Sequence, residues 1–426
     1  MTTRVADGGW RPRPRLSLLA LIALTSVTAM ADDWPRFLGP HQNNTSLETG
    51  ILLEWPAAGP EIIWRKTLGL SYSTPVVQRD RLVVFHRVDN KERVDCLNAT
   101  NGAPIWSHTY ASGYVDRYGY NGGPRASPLI HDDKVYTYGA EGMLTCLALK
   151  DGRKVWQRHI NREFKVPQGF FGVATAPVID HGLLLLNVGA PDNGSIMAFD
   201  RSSGKLKWRV GNDEASYATP VVHTIGDERL GIFFTRSGLM TVALPTGSIR
   251  HTYPLRARVN ESVNAASPVV VGNMVFLSAA YRVGSVALRI AGDKIETHWR
   301  NTTNMQNHWA TCIHVDGNLY GAHGRHESEA RLRCIELATG KVRWTGGRGL
   351  GRASMILVEK HFIALGERGQ LALIEMSPDH YTEKYRIQCL GYPSWSPPVL
   401  ANGRLYVRDE TTLLCLDLRG PNFSSN

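Results

Sequence analysis

The sequence lacks the short motifs that commonly mark a metal centre or a catalytic nucleophile. It contains no HExxH, paired CxxC or DxDxDG pattern, so no metal site is predicted. It also has no Gly-x-Ser-x-Gly sequence, which removes the nucleophile elbow of α/β-hydrolases. We interpret the histidines of "HGRHE" (323–327) as part of a polar turn. None of these signals predicts an enzyme.

Dense runs of one charge are also missing, although the chain is basic. Its net charge is +10 and its pI is about 9.3, with the lysines and arginines dispersed. In a cytoplasmic protein this charge would favour nucleic-acid binding. In an exported protein it better suits anionic envelope polymers or acidic partners. We therefore predict no nucleic-acid partner.

Long apolar runs are absent except for one near the start. The arginine-containing stretch 1–15 precedes "LSLLALIALTSVTAM" and then the small residues Ala29 and Ala31. This order is typical of a secretory signal peptide, so we predict that residues 1–31 are removed by cleavage near Ala31. An uncleaved anchor is the alternative, but the run is short for a bilayer span. The mature chain is expected to be periplasmic or secreted, without a transmembrane segment, and monomeric.

What the sequence has in abundance is internal repetition. One signature, which we call the head, is a small residue followed by Pro and two apolar residues, as in "STPVV" (73–77). Eight copies, some degenerate, follow one another at steps of 43–53 residues. A second signature, the tail, is an alternating strand, a Gly turn and a strand that ends in a large aromatic residue. The predicted tail aromatics are Trp64, Trp106, Trp156, Trp208, Tyr253, Trp299, Trp344 and Tyr385.

The positions of heads and tails predict a closed ring. Each unit carries about four short strands joined by Gly, Asn and Asp turns, which is the signature of a propeller blade. The first tail, at Trp64, precedes the first head, and the last head has no tail after it. We therefore predict an all-β, eight-bladed propeller over residues 60–420, closed by the N-terminal strand around Trp64. Residues 32–59 form a lead segment, and residues 421–426 form a C-terminal tail.

The six cysteines are not expected to form disulfides, although the protein is predicted to be exported. Cys96, Cys146, Cys334 and Cys415 occupy one tail-strand position in different repeats, where other repeats have Ala198, Ala243, Ala287 and Leu373. Equivalent positions in different blades lie too far apart for a bridge. We interpret these cysteines as small core residues. Cys312 and Cys389 could be free or paired with each other, and we expect them to be free.

The tail strands resemble the pyrroloquinoline-quinone-like β-propeller repeat, whose motif is Ala-x-Asp-x-x-Thr-Gly-x-x-x-Trp. The best matches are "AFDRSSGKLKW" and "CIELATGKVRW", and the likeness covers roughly residues 60–420. "DWPRFLGP" (33–40) is also similar to the N-terminal lead of exported bacterial members. The resemblance implies the propeller fold. Because this family includes both quinoprotein alcohol dehydrogenases and the outer-membrane assembly factor B, a non-catalytic scaffold, it does not choose a function.

A ligand site is predicted where the connections between blades reach the central channel. Residues just before each head converge on the axis, and they are rich in aromatic and cationic types suited to binding. The predicted ligand-binding residues are Tyr72, Arg125, Tyr217, Asn264, His308, Trp309, Arg352 and Trp395. The long connections 107–125 and 157–174 add Arg117, Tyr118, Tyr120, Phe170 and Phe171, and Glu261 is a nearby acid. The alternative is that these side chains merely plug the channel.

We interpret the chain as a non-catalytic binding or assembly propeller of the cell envelope. Its expected partner is an envelope protein, an anionic or aromatic ligand, or a glycan, and no cofactor is predicted. The first alternative is a quinoprotein dehydrogenase, which by resemblance would use a vicinal disulfide and Ca²⁺ held by Glu and Asn. Only Glu261 and Asn264 imitate such ligands here, and no two cysteines are adjacent. The second alternative is a glycan hydrolase or lyase, which would need two carboxylates near the axis.

Overall fold

The computed structural model describes residues 1–4 and 32–423, so the predicted signal peptide lies almost wholly outside the described residues. The described chain forms eight four-stranded antiparallel sheets and one short helix, α1 (Ile160–Glu163). The predicted all-β, eight-bladed propeller is confirmed. None of the helices in the described part of the chain has the length and apolar character that a bilayer crossing requires.

Each of the first seven blades is one continuous stretch of four strands, written here from the channel outward. Blades 1 and 2 contain β2 (Val76–Gln78), β3 (Arg81–Val88), β4 (Lys91–Asn98) and β5 (Pro104–Ala111), then β6 (Leu129–His131), β7 (Lys134–Tyr138), β8 (Met143–Ala148) and β9 (Lys154–His159). Blades 3 and 4 contain β10 (Val178–Asp180), β11 (Leu183–Ala190), β12 (Gly194–Asp200) and β13 (Leu206–Val210), then β14 (Val221–Ile225), β15 (Glu228–Phe234), β16 (Gly238–Ala243) and β17 (Ser248–Pro254).

The remaining blades follow the same order. Blades 5 and 6 contain β18 (Val269–Val271), β19 (Met274–Ala279), β20 (Gly284–Ala291) and β21 (Lys294–Asn301), then β22 (Ile313–Val315), β23 (Asn318–His323), β24 (Arg331–Glu336) and β25 (Val342–Gly346). Blade 7 contains β26 (Ser354–Val358), β27 (His361–Leu365), β28 (Gln370–Glu375) and β29 (Thr382–Gln388). Blade 8 contains β30 (Val399–Ala401), β31 (Arg404–Arg408) and β32 (Thr412–Asp417), with β1 (Ile62–Thr67) as its outermost strand.

The ring closes between the two ends of the chain. β1 pairs antiparallel with β32, and Trp64 lies opposite Cys415. This pairing covers the outer edge that β32 would otherwise expose. The sequence-based prediction of closure by the strand around Trp64 is therefore confirmed.

The tail tryptophans connect each blade to the next. Trp106 Nε1 donates a hydrogen bond to the Leu149 carbonyl of blade 2, at 2.8 Å. Its indole also packs on Gly152 in the turn between β8 and β9, where a Cβ atom would lie 2.5 Å from the ring. Gly152 has a φ of +71°, a conformation that glycine adopts without strain. The repeated Gly and Trp of the tail thus form the contact between neighbouring blades.

One predicted tail aromatic is wrong. In blade 4 the position equivalent to the tryptophans is His251, which lies opposite Thr241 just before the bulge, whereas Tyr253 lies two residues further along β17. Ala243 is accordingly not the counterpart of the tail-strand cysteines; Thr241 is. His251 is buried and its Nε2 lies 3.0 Å from the Gly292 carbonyl of blade 5, so it replaces the indole hydrogen bond.

The core consists of apolar side chains packed between neighbouring blades, and the cysteines belong to it. Cys96, Cys146, Cys334 and Cys415 are fully buried and lie opposite the tail tryptophans of their blades. All six cysteines are free, as predicted.

The lead segment, residues 32–59, lies against the inner strands of blades 1, 2 and 7. Trp34 exchanges two backbone hydrogen bonds with Val77, and Asn44 and Ser46 bond to Leu357 in β26. Glu359 accepts hydrogen bonds from the backbone N–H groups of residues 50 and 51, at 2.9 and 2.8 Å. Because antiparallel strands alternate in direction, these contacts fix the lead segment on the face opposite the connections between blades.

Candidate functional site

The connections between blades enclose a cavity at one end of the central channel, which we call the cup. Its volume is about 420 Å³, within the usual range for small-molecule sites. Seven of the eight predicted ligand-binding residues line it. They are Tyr72, Arg125, Tyr217, His308, Trp309, Arg352 and Trp395. Tyr118, Tyr120, Phe171 and Glu261 from the connections also line it. Whether these residues bind a ligand stays a prediction at this point.

The structure places Asn264 behind the wall of the cup. Its side chain is buried, and Nδ2 lies within hydrogen-bond distance of the carbonyls of Thr235, Arg236 and Leu255, at 2.9, 3.2 and 3.1 Å. It joins the connection after blade 4 to a turn of the same blade. Asn264 therefore supports the backbone of the site, without lining the cup.

Aromatic rings form a connected group around the mouth of the cup. Trp395 lies at its centre, with ring centroids 4.8 Å from Tyr72, 5.1 Å from Trp309 and 5.5 Å from Tyr120. Phe171 extends the group, 5.8 Å from Tyr120 and 5.7 Å from Tyr217. These tilted and edge-on contacts are the arrangements that aromatic pairs prefer. The cup therefore offers several ring faces held in fixed orientations.

Arg352 is fixed by a buried carboxylate below the tryptophans. Its Nε and Nη2 donate to Glu367 at 2.7 and 2.5 Å, and the Glu367 side chain is 1% exposed. The guanidinium also lies 4.2 Å from the Trp309 ring centroid, a cation–π contact. Trp395 Nε1 donates to the same carboxylate at 3.2 Å. Glu367 thus positions one cation and one aromatic side chain of the cup.

His308 is held neutral next to this ion pair. Its Nδ1 accepts a hydrogen bond from Arg352 Nη1 at 3.1 Å, and its Nε2 lies 3.1 Å from the Tyr281 hydroxyl. Burial, together with the positive charge of Arg352 and Arg325, lowers the pKa of His308 to about 3. The imidazole is therefore an uncharged spacer between Tyr281 and Arg352.

Arg125 is neutralised in the same way on the other side of the cup. Its Nη2 lies 2.7 Å from Asp116, whose side chain is fully buried. Asp116 also accepts hydrogen bonds from the backbone N–H groups of Tyr118 and Tyr120, at 2.8 and 3.3 Å. This carboxylate therefore shapes the connection that presents both tyrosines.

A third carboxylate, Glu410, fixes the tyrosine at the edge of the cup. It accepts hydrogen bonds from the Tyr72 hydroxyl and from Asn121 Nδ2, at 2.7 and 2.6 Å. Burial and this carboxylate raise the pKa of Tyr72 above its ordinary value. The phenol therefore stays protonated and donates to Glu410.

The wall of the cup below the aromatic mouth consists of the small residues of the heads. Thr74, Ser127, Ala176, Thr219 and Pro397 line this level. Their hydroxyls also connect neighbouring blades, since the N–H of Ala176 donates to Thr219 Oγ1 at 3.0 Å. Phe37 of the lead segment lines the cup as well, from the face opposite the mouth. The lead segment therefore contributes to the cup from the end of the channel that lies away from the connections between blades.

Sequence reasoning missed several residues that form the cup. Tyr281, Arg325 and His326 line it, and Glu367 and Glu410 hold its side chains. All five lie in turns between the second and third strands of their blades. Because strands alternate in direction, these turns fall on the same face as the connections between blades, and that geometry could have identified them.

A second cavity of about 830 Å³ lies beside the cup, between the two long connections. It shares Ala174 and Tyr217 with the cup. Its charged and amide side chains include Arg117, Glu141, Asn161, Arg162, Asn187 and Glu214. Among the described residues, no group of three or more His, Cys, Asp or Glu side chains is arranged to hold a metal ion.

The chain matches the family model described as outer membrane protein assembly factor BamB, over residues 45–167 and 90–346. Because the matched regions together span most of the chain, the protein belongs to this family, within the pyrroloquinoline-quinone-like propeller superfamily. No curated protein sequence matches the chain.

Solved structures show the same fold at low sequence identity. BamB from Moraxella catarrhalis is 11% identical with a TM-score of 0.61, covering 86% of this chain and 99% of its own. Quinohemoprotein alcohol dehydrogenase from Comamonas testosteroni is 12% identical with a TM-score of 0.64, covering 92% of this chain and 82% of its own. The computationally designed Ika8 protein is 11% identical with a TM-score of 0.56, covering 84% and 100%. An outer membrane protein assembly factor and an alcohol dehydrogenase therefore share this architecture.

Proposed function

We propose that this protein is a non-catalytic binding propeller of the cell envelope, which holds a ligand or a protruding group of a partner in the cup. The observation that supports this most strongly is the convergence of aromatic side chains, packed against one another, at the cavity in the central channel. Nine Phe, Tyr and Trp side chains line that cavity. Aromatic and arginine side chains fixed in this way are typical of binding hot spots.

The carboxylates of the site support a binding role over hydrolysis. A glycan hydrolase needs two carboxyl groups free to act as acid and as base or nucleophile. Asp116 and Glu367 are instead buried and each paired with an arginine, and Glu410 accepts two hydrogen bonds. Glu261 is the exposed acid of the cup lining. The site thus offers one accessible carboxylate, where hydrolysis would require two.

The residues of the cup also do not fit a calcium-bound quinone. Asn264 faces away from the cavity and its amide nitrogen is directed at backbone carbonyls. Glu261 therefore lacks the Asn that would complete the pair of ligands, and no adjacent cysteines exist to stack on a quinone. We propose that the protein uses no cofactor.

The proposed location and partner follow from the leader and from the family. The predicted signal peptide would export the chain to the periplasm or beyond, where we propose that it acts as a monomer. Membership of a family named for outer membrane protein assembly supports a partner in the envelope. The partner group would approach the mouth of the cup, since the lead segment occupies the opposite face.

The test is site-directed cross-linking in the cell envelope. A photoreactive phenylalanine replaces Tyr118, which is 48% exposed at the cup, or Val88, which is 38% exposed and outside its lining. We expect an adduct at position 118 that is lost when Trp395→Ala is added, and none at position 88. Equal adducts at both positions, or none at either, would overturn the proposal. A parallel titration with pyrroloquinoline quinone and Ca²⁺ should give no dye-linked alcohol oxidation.

A further inference from the structure

We infer that the cup binds an uncharged sugar ring, and that the ligand is the end of a neutral oligosaccharide. This inference rests on the proposed function, because it names the ligand of the same cup. It is carried by a combination that the structure shows and the sequence did not: several aromatic rings line the cavity, whereas Arg125 and Arg352 are each already paired with a buried carboxylate.

The two arginines among the predicted ligand-binding residues, Arg125 and Arg352, are poorly placed to bind an anion. Arg352 directs Nε and Nη2 at Glu367, and its Nη1 at His308 and the Arg325 carbonyl. Four of its five N–H groups are therefore occupied. A carboxylate or phosphate that approached it would also face the negative charge of Glu367.

Arg125 is compensated in the same way. Asp116 is fully buried beside its guanidinium, and the carbonyls of Asn121 and Gly123 accept two further hydrogen bonds, at 3.3 and 3.2 Å. Each ring arginine therefore forms a neutral pair with a carboxylate. His308 adds no charge. The third arginine of the lining, Arg325, lies 4.2 Å from the Tyr281 ring centroid, and Glu261 contributes one negative charge to the same lining. The cup as a whole thus lacks the excess positive charge that an anionic ligand would require.

The aromatic rings and the hydroxyl groups of the cup suit a pyranose ring. The C–H groups on the face of a sugar carry partial positive charge, and aromatic faces are negative, so the two attract each other. Trp309 and Trp395 present their rings at 47° to each other, 5.1 Å apart. Hydroxyls of Thr74, Ser127 and Thr219 line the wall below and can each donate or accept a hydrogen bond. A neutral sugar ring could therefore contact the aromatic side chains through its C–H face and the hydroxyl-lined wall through the hydroxyls at its edge.

The second cavity gives the reason to propose an oligosaccharide instead of a single sugar. It adjoins the cup at Ala174 and Tyr217 on the same face. Its wall carries arginine, glutamate and asparagine side chains, which provide donors and acceptors for hydroxyl groups without one dominant charge. Further units of a chain whose terminal ring occupies the cup would extend into this cavity.

The experiment titrates the mature protein with chitotetraose and cellotetraose as neutral probes, and with tetragalacturonate and inorganic phosphate as anionic probes. Binding is followed by tryptophan fluorescence and by calorimetry. We expect at least one neutral tetramer to bind, more tightly than its dimer. Its affinity should be unchanged between about 50 mM and about 500 mM NaCl, because salt screens only charged contacts.

Substitutions in the cup test whether the probe binds there. Tyr120→Ala and Trp395→Ala should each lower the affinity for the neutral probe by about tenfold or more. Val259→Ala, at a 45% exposed position on the same face but outside both cavities, is the control and should bind normally. Tyr120 is 45% exposed, so its replacement tests the site even if Trp395→Ala lowers the melting temperature.

Two results would overturn the inference. One is the failure of both neutral tetramers to bind at about 10 mM. The other is salt-sensitive binding of tetragalacturonate or phosphate that Tyr120→Ala abolishes. The second result would leave the proposed binding role of the cup intact, because the cross-link at position 118 would persist. Loss of both the cross-link and all probe binding would remove the proposed function as well.

Discussion

Trp64 lies opposite Cys415, so the first strand of the propeller is held by the last. The indole Nε1 of Trp64 also donates to the Ala99 carbonyl of blade 1, at 3.2 Å. One side chain of the closing strand therefore connects blade 8 to blade 1. The stability of the whole ring should depend on this contact.

We expect Trp64→Ala to destabilise the protein by about 3–5 kcal/mol, because it removes a large packed side chain. Deletion of residues 60–70 should have a still larger effect. Ile62→Ala, in the same strand but 42% exposed, should change the free energy of unfolding by less than about 0.5 kcal/mol. Chemical denaturation measures all three. An unchanged melting transition after the deletion would contradict closure by β1.

His251 should behave as the tail aromatic of blade 4. His251→Ala removes the imidazole contacts with the Gly292 carbonyl and with the Thr241 hydroxyl, which then keeps only the backbone N–H of residue 251 as a partner, so we expect a loss of about 2 kcal/mol. Tyr253→Phe removes only an exposed hydroxyl contact with Thr297 and should be close to neutral. Thermal melts of the two variants compare the positions directly. A larger loss at Tyr253 would restore the sequence-based assignment.

The buried pair of Glu367 and Arg352 should be costly to break. Glu367→Gln leaves Arg352 without a compensating charge, so we expect a destabilisation of about 3–5 kcal/mol. Arg368→Ala breaks the neighbouring exposed pair with Glu327 and should leave the free energy of unfolding nearly unchanged. Urea denaturation distinguishes these values. Equal effects would mean that burial does not strengthen the pair.

Stability should fall in acid because of His308. Its folded pKa is lowered, so the unfolded chain takes up a proton as the pH falls below 6.5 while the folded protein does not. The contribution of His308 is therefore complete above pH 6.5 and is lost towards pH 3, with a slope of up to about 1.4 kcal/mol per pH unit. His308→Gln should show a correspondingly flatter profile in this range. Identical profiles for the two proteins would show that His308 does not titrate as described.

The sequence was sufficient to predict the fold because each copy of the repeat provides the strands of about one propeller blade. There are eight heads, and the first tail precedes the first head, so the sequence predicts a ring that the N-terminal strand closes. Trp64 occupies the predicted place in that ring. The error at Tyr253 came from matching residue type instead of spacing. His251 follows Gly247 by four residues, as Trp106 follows Gly102. Histidine could be recognised there only by position.

The site was less predictable because its electrostatics depend on distant segments. Tyr72 and Arg352 could be placed near the axis by their distance from a head. That Glu367 compensates Arg352, or that Glu410 fixes Tyr72, depends on turns far away in sequence. The same applies to Asn264, whose amide supports the backbone of blade 4 although its spacing placed it among the ring residues.

Phe37 of the lead segment lines the cup, and the lead segment lies on the face opposite the connections between blades. A ligand in the cup would therefore lie between Phe37 on one side and Trp395 on the other. A partner docked over the aromatic face would therefore affect both entry and exit of the ligand past Trp395. A larger assembly could then regulate exchange of the proposed ligand by covering that face.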